Sequence, residues 1–599
     1  MNHWKQMWYW IEKKEPALII WIIVSCLVTG ITPVFGIIMP KIMLDELLGE
    51  KDERKLMGMV VVLALGTLVC ALGKALCKKK TSNLMEQFTM KMEEEMGKKP
   101  IHIPLSVSEK KSSMDLYERG KYGLHALEDW NVSIQKIGGG TVTCISSGVI
   151  ILSNQWYLLF LLLAVNVFMI PFMKKMKDLE VDNANRSVPE NREFQYYCSI
   201  ACDFRYTKDL KMSGGISFMM KRVEDNMNRI LKMNHVYFTK VGCCQGAIAA
   251  VTELETAILF VILGILLYAG GISVGMFTML YNACRQFGQT WNGMMTAGNQ
   301  MITDGILLQP LMEYLNMEEE EEETKVTEEV KTCIDQAQKG ILEWEFRDVT
   351  FSYPGAEKTS LNHCDFQIHT GETIALVGKN GAGKSTIVKL LCRFYEPQMG
   401  QILLNGVDIR SIPRKEYRMI ISPTFQDFQL LPFSIEENIL CKCQKEITKE
   451  EKERMEGKAR HLDFFRWADA LPEKFSTYLS KNLTENGVLP SGGLAQKIAL
   501  ARSVCHNGGM MIMDEPTAAL DPRSEEDIFT QMGEIARNRT SLFISHRLSS
   551  TRLADRILVM ENGKIAESGS HDYLMEKEGI YWELYEVQAS AYDLLSARQ

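Results

Sequence analysis

The chain has 599 residues, more than one hydrophobic core usually serves, so at least two domains are expected. Its formal net charge of −8 argues against a nucleic-acid-binding protein, which would normally present a basic face to phosphates. The mean hydropathy of −0.08 averages an apolar first half with a charged second half. Among the fifteen cysteines, Cys441 and Cys443 form a C-x-C pair without a second pair nearby, so no zinc site is expected.

The first half carries apolar runs long enough to cross a bilayer, which takes about 20 residues. These runs cover residues 17–40, 56–77, 137–173, 241–270 and 271–291. The third run is too long for one helix, and the turn-like Ser153-Asn154-Gln155 divides it into two spans. The sequence therefore predicts six transmembrane helices.

Basic residues between the spans predict their orientation. Lys78, Lys79 and Lys80 follow the second span, Lys174, Lys175 and Lys177 follow the fourth, and Lys240 precedes the fifth. Because cytoplasmic loops carry the excess of Lys and Arg, these loops and both termini are predicted to be cytoplasmic. The long inner stretches are predicted to extend the spans downward, with lower turns near residues 109–117 and 203–213 that contact a cytoplasmic partner.

An unbroken acidic run, Glu318 to Glu323, marks a change in character along the chain. Beyond it, short β-branched strands alternate with helical segments, which is typical of an α/β domain. We therefore predict a transmembrane domain over residues 1–316, an acidic linker over residues 317–339 and a second domain over residues 340–599.

In the second domain, a predicted strand, a glycine-rich loop and a predicted helix follow one another in ETIALVGKNGAGKSTIVKLL. The loop fits the pattern G-x-x-x-x-G-K-[ST], whose small residues let backbone N–H groups wrap phosphate oxygens. It consists of Gly378, Lys379, Asn380, Gly381, Ala382, Gly383, Lys384 and Ser385, followed by Thr386. Lys384 is expected to reach the β and γ phosphates, and the Ser385 hydroxyl to bind Mg²⁺. The loop therefore predicts ATP and Mg²⁺ as cofactors.

The segment GMMIMDEP supplies the carboxylates that such a site needs. Asp514 at the end of the apolar strand is expected near the metal, and Glu515 beside it is expected to act as a base for water. An acidic pair after an apolar strand is a weak signal alone, but the P-loop strengthens it. The predicted fold class is multidomain: a six-helix all-α transmembrane domain followed by an α/β P-loop ATPase domain.

With these motifs the second domain resembles the ATPase cassette of ATP-binding cassette (ABC) transporters, over about residues 340–599. FSYPG resembles the adenine-stacking loop with Tyr353, and SPTFQDFQLL resembles the Q-loop with Gln426. AALD resembles the D-loop ending at Asp521, and FISHRLS resembles the switch loop with His546. The span count and loop lengths of the first domain resemble those of an exporter-type half-transporter.

The segment LPSGGLAQ resembles the family's signature sequence, in which a serine and two glycines at a helix N-terminus cap the γ-phosphate of ATP bound to the opposite cassette. Ser491, Gly492 and Gly493 are retained here. Pro490 replaces the leading Leu of that motif, and Leu494 replaces its Gln. Taken alone, Ser-Gly-Gly would indicate an ordinary helix-capping turn.

The resemblance implies a half-transporter that dimerises and holds two ATP between its cassettes, with export as the direction. Lys384 and the loop amides would hold the phosphates, and Ser385, Gln426 and Asp514 would arrange Mg²⁺. Glu515 would activate water, and His546 would contact the γ-phosphate. A homodimer in the cytoplasmic membrane is favoured, with the ATPase domain in the cytoplasm and no nucleic acid as partner. A heterodimer, in which this chain carries the altered signature, stays open.

The substrate is expected to be a peptide or an amphiphilic or lipophilic small molecule. Glu253 and Glu255 lie in the fifth apolar run, and a carboxylate within the membrane indicates function because its exposure to lipid is costly. A carboxylate-lined cavity would suit a cationic substrate; alternatively, the two residues pair with Arg285 or lie at an aqueous mouth. Since the first span begins near residue 17, no peptidase domain is expected ahead of it. A regulatory membrane ATPase is a second hypothesis, whereas a soluble cassette acting on DNA or ribosomes disagrees with the six spans.

Overall fold

The computed structural model describes residues 3–49, 52–320, 327–460, 462, 464–506, 508–514, 539–545 and 548–596. The chain forms two compact units. The first comprises Met1–Ile103 and Val107–Glu319, and the second comprises Pro104–Ser106 and Glu320–Gln599.

The first unit is built from helices. They are α1 (His3–Lys14), α2 (Pro16–Leu48), α3 (Glu53–His102), α4 (Leu105–Ser108), α5 (Lys111–Asn154), α6 (Trp156–Cys202), α7 (Phe204–Met212), α8 (Gly215–Tyr268) and α9 (Val274–Leu315). The first two residues of α4 belong to the second unit. By length and composition, α2, α3, α5, α6 and α8 can cross a membrane. The predicted sixth span lies in α9, which is long but carries polar residues such as Asn282, Arg285 and Gln289 along its apolar part. The crossing of α9 stays a prediction.

Two predicted breaks between spans coincide with helix ends. Gln155 alone separates α5 from α6, as the turn at residues 153–155 predicts. Gly270, with φ of +72°, lies between the end of α8 and the start of α9. Glycine is favoured there because other residues rarely adopt a positive φ.

Small residues let the long helices approach one another closely. The Gly138-Gly139-Gly140 run of α5 packs against two neighbours. A Cβ added at Gly138 would lie 2.5 Å from Sγ of Cys26 in α2, and one added at Gly140 would lie 2.5 Å from Cγ of Met294 in α9. Helix association in lipid depends on such close packing, because burial from water contributes nothing within the bilayer core.

The lower turns of the long helices differ in part from the prediction. Helix α7 occupies the turn predicted near residues 203–213. The other turn was expected near residues 109–117; Glu109 and Lys110 do separate α4 from α5 at the start of that range, but the helix before them ends earlier, ahead of α4. The physical reason is Pro104: the residue before a proline disfavours the helical conformation, and Ile103 is extended with φ of −86° and ψ of 148°.

The second unit is an α/β domain, as predicted. Its strands are β1 (Trp344–Phe351), β2 (Leu361–Ile368), β3 (Thr373–Gly378), β4 (Met399–Leu404), β5 (Val407–Asp408), β6 (Ile421–Thr424), β7 (Met510–Asp514), β8 (Thr540–Ile544), β9 (Arg556–Glu561) and β10 (Lys564–Gly569). Its α-helices are α10 (Glu328–Gln338), α11 (Lys384–Leu391), α12 (Arg414–Ile420), α13 (Ile435–Leu440), α14 (Lys449–Ala459), α15 (Phe464–Asp469), α16 (Gly492–His506), α17 (His571–Glu576) and α18 (Ile580–Ser596). Short 3₁₀ turns lie at Ile409–Ser411, Gln444–Glu446, Lys474–Ser476 and Leu548–Leu553.

The main sheet has the order β10-β9-β3-β8-β7-β6, with parallel pairs except for β9 and β10. A smaller antiparallel sheet has the order β2-β1-β4-β5. The central strand β3 is buried on both faces: Ile374 and Leu376 belong to one apolar cluster, and Ala375 and Val377 to another. Burial on both faces explains why its sequence is a continuous apolar run rather than an alternating one.

The segment predicted as an acidic linker contains helix α10. Its Val330, Cys333 and Ala337 are buried in the apolar cluster of the second unit. Thr327 caps the helix, because its side chain accepts a hydrogen bond from the N–H of Val330 at 3.4 Å. The 3.6-residue spacing of its three apolar residues therefore places one face of the predicted linker in the core of the second unit.

Candidate nucleotide-binding site

The glycine-rich loop lies between β3 and α11, at the carboxyl edge of the parallel sheet. It lines a cavity of about 280 Å³. The lining residues are Tyr353, Ser360, Asn380, Gly381, Gly383, Lys384, Ser385 and Thr386. Six of these were predicted to contact ATP from the loop motif, and Tyr353 was predicted from the family resemblance, so the fold brings both sets of residues to one cavity.

Two glycines of the loop cannot carry a side chain without moving their surroundings. Gly378 has φ of +149°, and a Cβ there would lie 2.4 Å from the carbonyl oxygen of Met560. Gly383 has φ of +109°, and its Cβ would lie 2.8 Å from the carbonyl oxygen of Ser360. The loop is therefore held tightly against β9 and the start of β2, so its backbone stays in a curved conformation.

Lys384 lies inside the loop rather than pointing to solvent. Its ammonium Nζ donates to the carbonyl oxygens of Gly378 at 2.8 Å and Lys379 at 3.2 Å. The side chain is buried, with 5% of the residue exposed. A lysine in this position can place its charge beside phosphate oxygens that enter the curve of the loop.

Tyr353 forms the aromatic side of the cavity. Its hydroxyl shares a hydrogen bond of 3.3 Å with Oγ1 of Thr386. Its ring packs edge-on against Phe351 and Tyr395, with centroid distances of 5.1 and 5.3 Å. The ammonium of Lys389 lies 5.3 Å from the ring centroid of Tyr353. These contacts fix the ring at the mouth of the loop.

Asp514 and Gln426 lie at the same edge of the sheet as the loop. Asp514 ends β7 and pairs with Ile544 of β8. Ile544 pairs in turn with Leu376 of β3. The Asp514 side chain is buried. Gln426 follows β6 by two residues and is exposed. Neither residue lines the cavity, but both follow strands whose carboxyl ends meet at this edge.

The Ser-Gly-Gly segment begins helix α16. The Ser491 side chain accepts a hydrogen bond from the N–H of Leu494 at 3.4 Å, so it caps the helix, and the residue is exposed. Leu494, at the position where the family motif has Gln, is partly buried against an apolar cluster. Ser491, Gly492 and Gly493 do not line the cavity of their own chain.

Three predicted residues, Glu515, Asp521 and His546, lie outside the part of the chain that the structure describes. Their neighbours Asp514 and Ser545 are buried where β7 and β8 end. The catalytic roles of Glu515 and His546 stay predictions from the sequence.

Residues that no sequence motif identifies also support the site. Ser360 lines the cavity but belongs to no recognised motif. Arg502 of α16 donates from Nε to the carbonyl oxygen of Asn438 at 2.8 Å and from Nη2 to that of Gln429 at 3.3 Å. Thr424 Oγ1 and Ser503 Oγ share a hydrogen bond of 2.6 Å. Helix α16 is thus joined to the predicted Q-loop segment and to α13 after it, and this connection has no local sequence signal.

Comparison with known proteins decides the family. Residues 361–518 match the ABC transporter family. The fold matches that of a bacterial Atm1-family ABC exporter solved with ATP bound, with a TM-score of 0.79 and 20% identity, over 97% of this chain and 98% of that one. The chain is an ABC exporter half-transporter. It joins an N-terminal membrane domain of long helices to an α/β ABC ATPase domain, and its ATP hydrolysis is coupled to export.

Curated relatives of this half-transporter include ATP-dependent lipid A-core flippases. That of Escherichia coli strain K12 is 26% identical over 590 residues, which cover 98% of this chain and 97% of the relative. That of Haemophilus ducreyi is 27% identical and covers 92% of each chain. The protein of Sodalis glossinidius is 40% identical over 281 residues, 47% of this chain and 45% of the relative.

The donors of the half-transporter's site fit ATP and a small divalent cation. The loop offers backbone N–H groups and the Lys384 ammonium to phosphates. The Ser385 hydroxyl in the cavity and the Asp514 carboxylate at the sheet edge are hard oxygen ligands of the kind that Mg²⁺ prefers. Nearby, burial raises the pKa of the Cys392 thiol to about 12, and the charge of Asp514 acts in the same direction.

Proposed function

We propose that two copies of this chain pair in the cytoplasmic membrane and bind two ATP between their ATPase domains. The observation that supports this pairing is the position of the signature serine. Ser491 is exposed at the start of α16 and does not line its own chain's cavity, so it can serve ATP bound to a second chain. Lys384 and the loop amides hold the phosphates, and Tyr353 stacks on the adenine.

In this proposal Ser385, Gln426 and Asp514 would hold Mg²⁺, which would supply positive charge beside the phosphates. Glu515 orients and deprotonates the attacking water, while His546 contacts the γ-phosphate. Closure of the two ATPase domains around ATP then switches the membrane domain from inward to outward facing. The basic loops that follow the second and fourth spans support a cytoplasmic position for the ATPase domain.

The exported substrate in this proposal is an amphiphile with a substantial apolar part. The similarity to lipid A-core flippases along nearly the whole chain supports a lipid-like molecule rather than a small hydrophilic solute. A peptide with an apolar segment has the same physical character.

The experiment is ATP-dependent uptake of a fluorescent single-chain amphiphile into inverted membrane vesicles that contain only this chain. Wild type should accumulate the amphiphile when ATP is added, and Glu515→Gln should bind ATP yet accumulate none, because its carboxamide cannot take a proton from water. Hydrolysis without uptake of any amphiphile or peptide would instead favour a regulatory membrane ATPase.

A heterodimer is a second candidate, favoured by the two substitutions in the signature. Pro490 and Leu494 differ from the family motif, and Leu494 packs inward rather than offering a polar group. In a heterodimer the purified chain alone would be nearly inert as an ATPase, which separates the two candidates.

A further inference from the structure

Glu255 is a buried carboxylate near the middle of a membrane-spanning helix. It lies fourteen residues after Val241 and fifteen before Gly270, the ends of the predicted fifth span. At a rise of about 1.5 Å per residue, both membrane surfaces are roughly 20 Å away. The residue is 5% exposed. A charge at this depth is costly, so such a residue indicates function when it has a place to act.

The carboxylate borders a polar cavity of about 110 Å³ between α8 and α9. Thr252, Glu253 and Glu255 of α8 face Tyr281, Arg285 and Gln289 of α9 across it. Opposite Glu255 stands Gly288, where an added Cβ would lie 3.8 Å from the nearer carboxylate oxygen. The absent side chain at Gly288 leaves room beside Glu255.

Within the described part of the chain, Glu255 Oε1 is buried and has no hydrogen-bond partner. One helical turn from Gly288, Asn292 donates from Nδ2 to Oγ1 of Thr252 at 3.3 Å. The Asn292 Oδ1 atom is likewise buried without a partner among the described residues. The interface of α8 and α9 therefore carries two acceptor oxygens that a hydrogen-bond donor would satisfy, and leaving such groups unsatisfied costs free energy.

The sequence suggested that Arg285 neutralises these carboxylates. Arg285 and Glu253 are both exposed, and across the described residues no ion pair joins Arg285 to either glutamate. The titratable groups around the cavity are two carboxylates, one guanidinium, the Tyr281 phenol and the Cys284 thiol. With both carboxylates ionised, the cavity carries a net negative charge.

We propose that Glu255 is the anionic centre of a binding site for the amine head group of an amphiphilic substrate. An alkylammonium group has three N–H donors and a single charge, and it is small enough for a cavity of this volume. The apolar tail extends along the exposed apolar side chains of α8, such as Leu254 and Ile258. This inference rests on the proposed export of amphiphiles and specifies the head group.

The first test measures equilibrium binding of radiolabelled octylammonium to the full chain in lipid nanodiscs, with empty nanodiscs subtracted. Glu255→Gln should weaken binding roughly ten- to hundredfold, because a charge-assisted hydrogen bond is lost. Glu255→Asp keeps the charge and should bind more tightly than Glu255→Gln. Glu224→Gln removes an exposed carboxylate elsewhere on α8 and should bind like wild type.

Glu253→Gln is the comparison that locates the centre of the site. Its carboxylate is exposed, so its loss should reduce octylammonium binding by a few-fold at most. An equal loss in Glu253→Gln and Glu255→Gln, or wild-type binding by Glu255→Gln, would overturn the proposal.

A second measurement uses the wild-type chain and does not depend on how the variants fold. Dicyclohexylcarbodiimide modifies carboxyl groups in apolar surroundings, and mass spectrometry identifies the modified residue. Octylammonium should protect Glu255 from modification, whereas octanol, which has the same chain and no charge, should not. Equal protection by octanol, or an absence of modification at Glu255, would contradict an accessible cation site.

These tests need no ATP, so the site and the transport function can fail independently. Binding of octylammonium at Glu255 without its ATP-dependent uptake would uphold the site and refute export of amines. Uptake of other amphiphiles without binding at Glu255 would uphold export and refute the site.

Discussion

Position 378 shows how backbone conformation and close packing act on one residue. Gly378→Ala would place a methyl group 2.4 Å from the Met560 carbonyl oxygen at a φ of +149°. Strained backbone of this kind costs about 1–3 kcal/mol, so the ATPase domain should melt several degrees lower. ATP binding should weaken as well, because the loop amides move. Differential scanning calorimetry of the full chain with and without ATP measures both effects.

Gly457→Ala is the matched control for this substitution. Gly457 lies in α14, and an added Cβ would meet no atom of the described residues within 4 Å. Alanine favours the helical state over glycine by roughly 0.5–1 kcal/mol, so this variant should melt at the same or a higher temperature. A Gly378→Ala chain as stable as Gly457→Ala would contradict the geometry of the loop.

The residues of the phosphate loop could be predicted from the sequence because their spacing is local. Lys384 and Ser385 follow directly from G-x-x-x-x-G-K-[ST], and the structure places both in one cavity. Ser360 could not be predicted, since it reaches the cavity from a loop before β2 that carries no motif. The burial of Glu255 also required the structure, because the sequence alone does not show which carboxylate faces the neighbouring helix.

At the scale of elements, Ser491 has two separable roles at the start of α16. It caps the helix, and it is proposed to contact the γ-phosphate of ATP on a second chain. Ser491→Ala should lower stability by about 1 kcal/mol through loss of the cap and should also reduce ATP hydrolysis severely. Thr448 caps α14 by accepting from the N–H of Glu451 at 3.2 Å.

Thr448→Ala therefore serves as the control for a lost cap away from ATP. It should lower stability by a similar amount, about 1 kcal/mol, while hydrolysis is retained. Chemical denaturation gives the stability, and phosphate release gives the hydrolysis. Equal hydrolysis by the Ser491→Ala and Thr448→Ala variants would leave Ser491 with a capping role alone.

Helix α16 is also tied to the segment after the predicted Q-loop through Arg502. Arg502→Ala removes hydrogen bonds to the carbonyl oxygen and the side-chain oxygen of Asn438, which is fully buried. We expect a loss of about 1–3 kcal/mol in stability, because hydrogen bonds to charged groups are of this size. Urea denaturation of the variant measures it.

Arg410→Ala provides the comparison for Arg502. Arg410 pairs with Asp408 at 2.7 Å, and its side chain is 42% exposed. An exposed ion pair contributes about 0–1 kcal/mol, so its loss should be nearly neutral. If Arg502→Ala were no more destabilising than Arg410→Ala, the tie between α16 and Asn438 would carry little free energy.

Element boundaries were less predictable than the elements themselves. The lower turn of the first long helical pair begins several residues before the predicted range, because Pro104 ends α3 before the helical composition of the segment ends. The segment predicted as an acidic linker contains helix α10, whose charged face is exposed while Val330 and Cys333 pack into the core. Charge alone therefore predicts a linker where the apolar spacing indicates a helix.

For the whole molecule, long-range pairing decides what the motifs can do. The sheet order brings β3, β7 and β8 together, so residues far apart in the chain end at one edge. Parallel strands pair through contacts that no local sequence pattern reveals. The sequence therefore predicted this assembly only through its resemblance to ABC cassettes. The proposed ATP site also depends on the oligomeric state, because one chain does not complete it.

Mixing two inactive variants tests most directly whether two copies of this chain build shared ATP sites. Ser491→Ala and Glu515→Gln chains are purified separately, reconstituted together in lipid and assayed for ATP hydrolysis. In a mixed dimer, one site has the intact Glu515 of the first chain and the intact Ser491 of the second. Random pairing should therefore restore about a quarter of wild-type activity. A mixture as inactive as either variant alone would contradict the shared site and the homodimer.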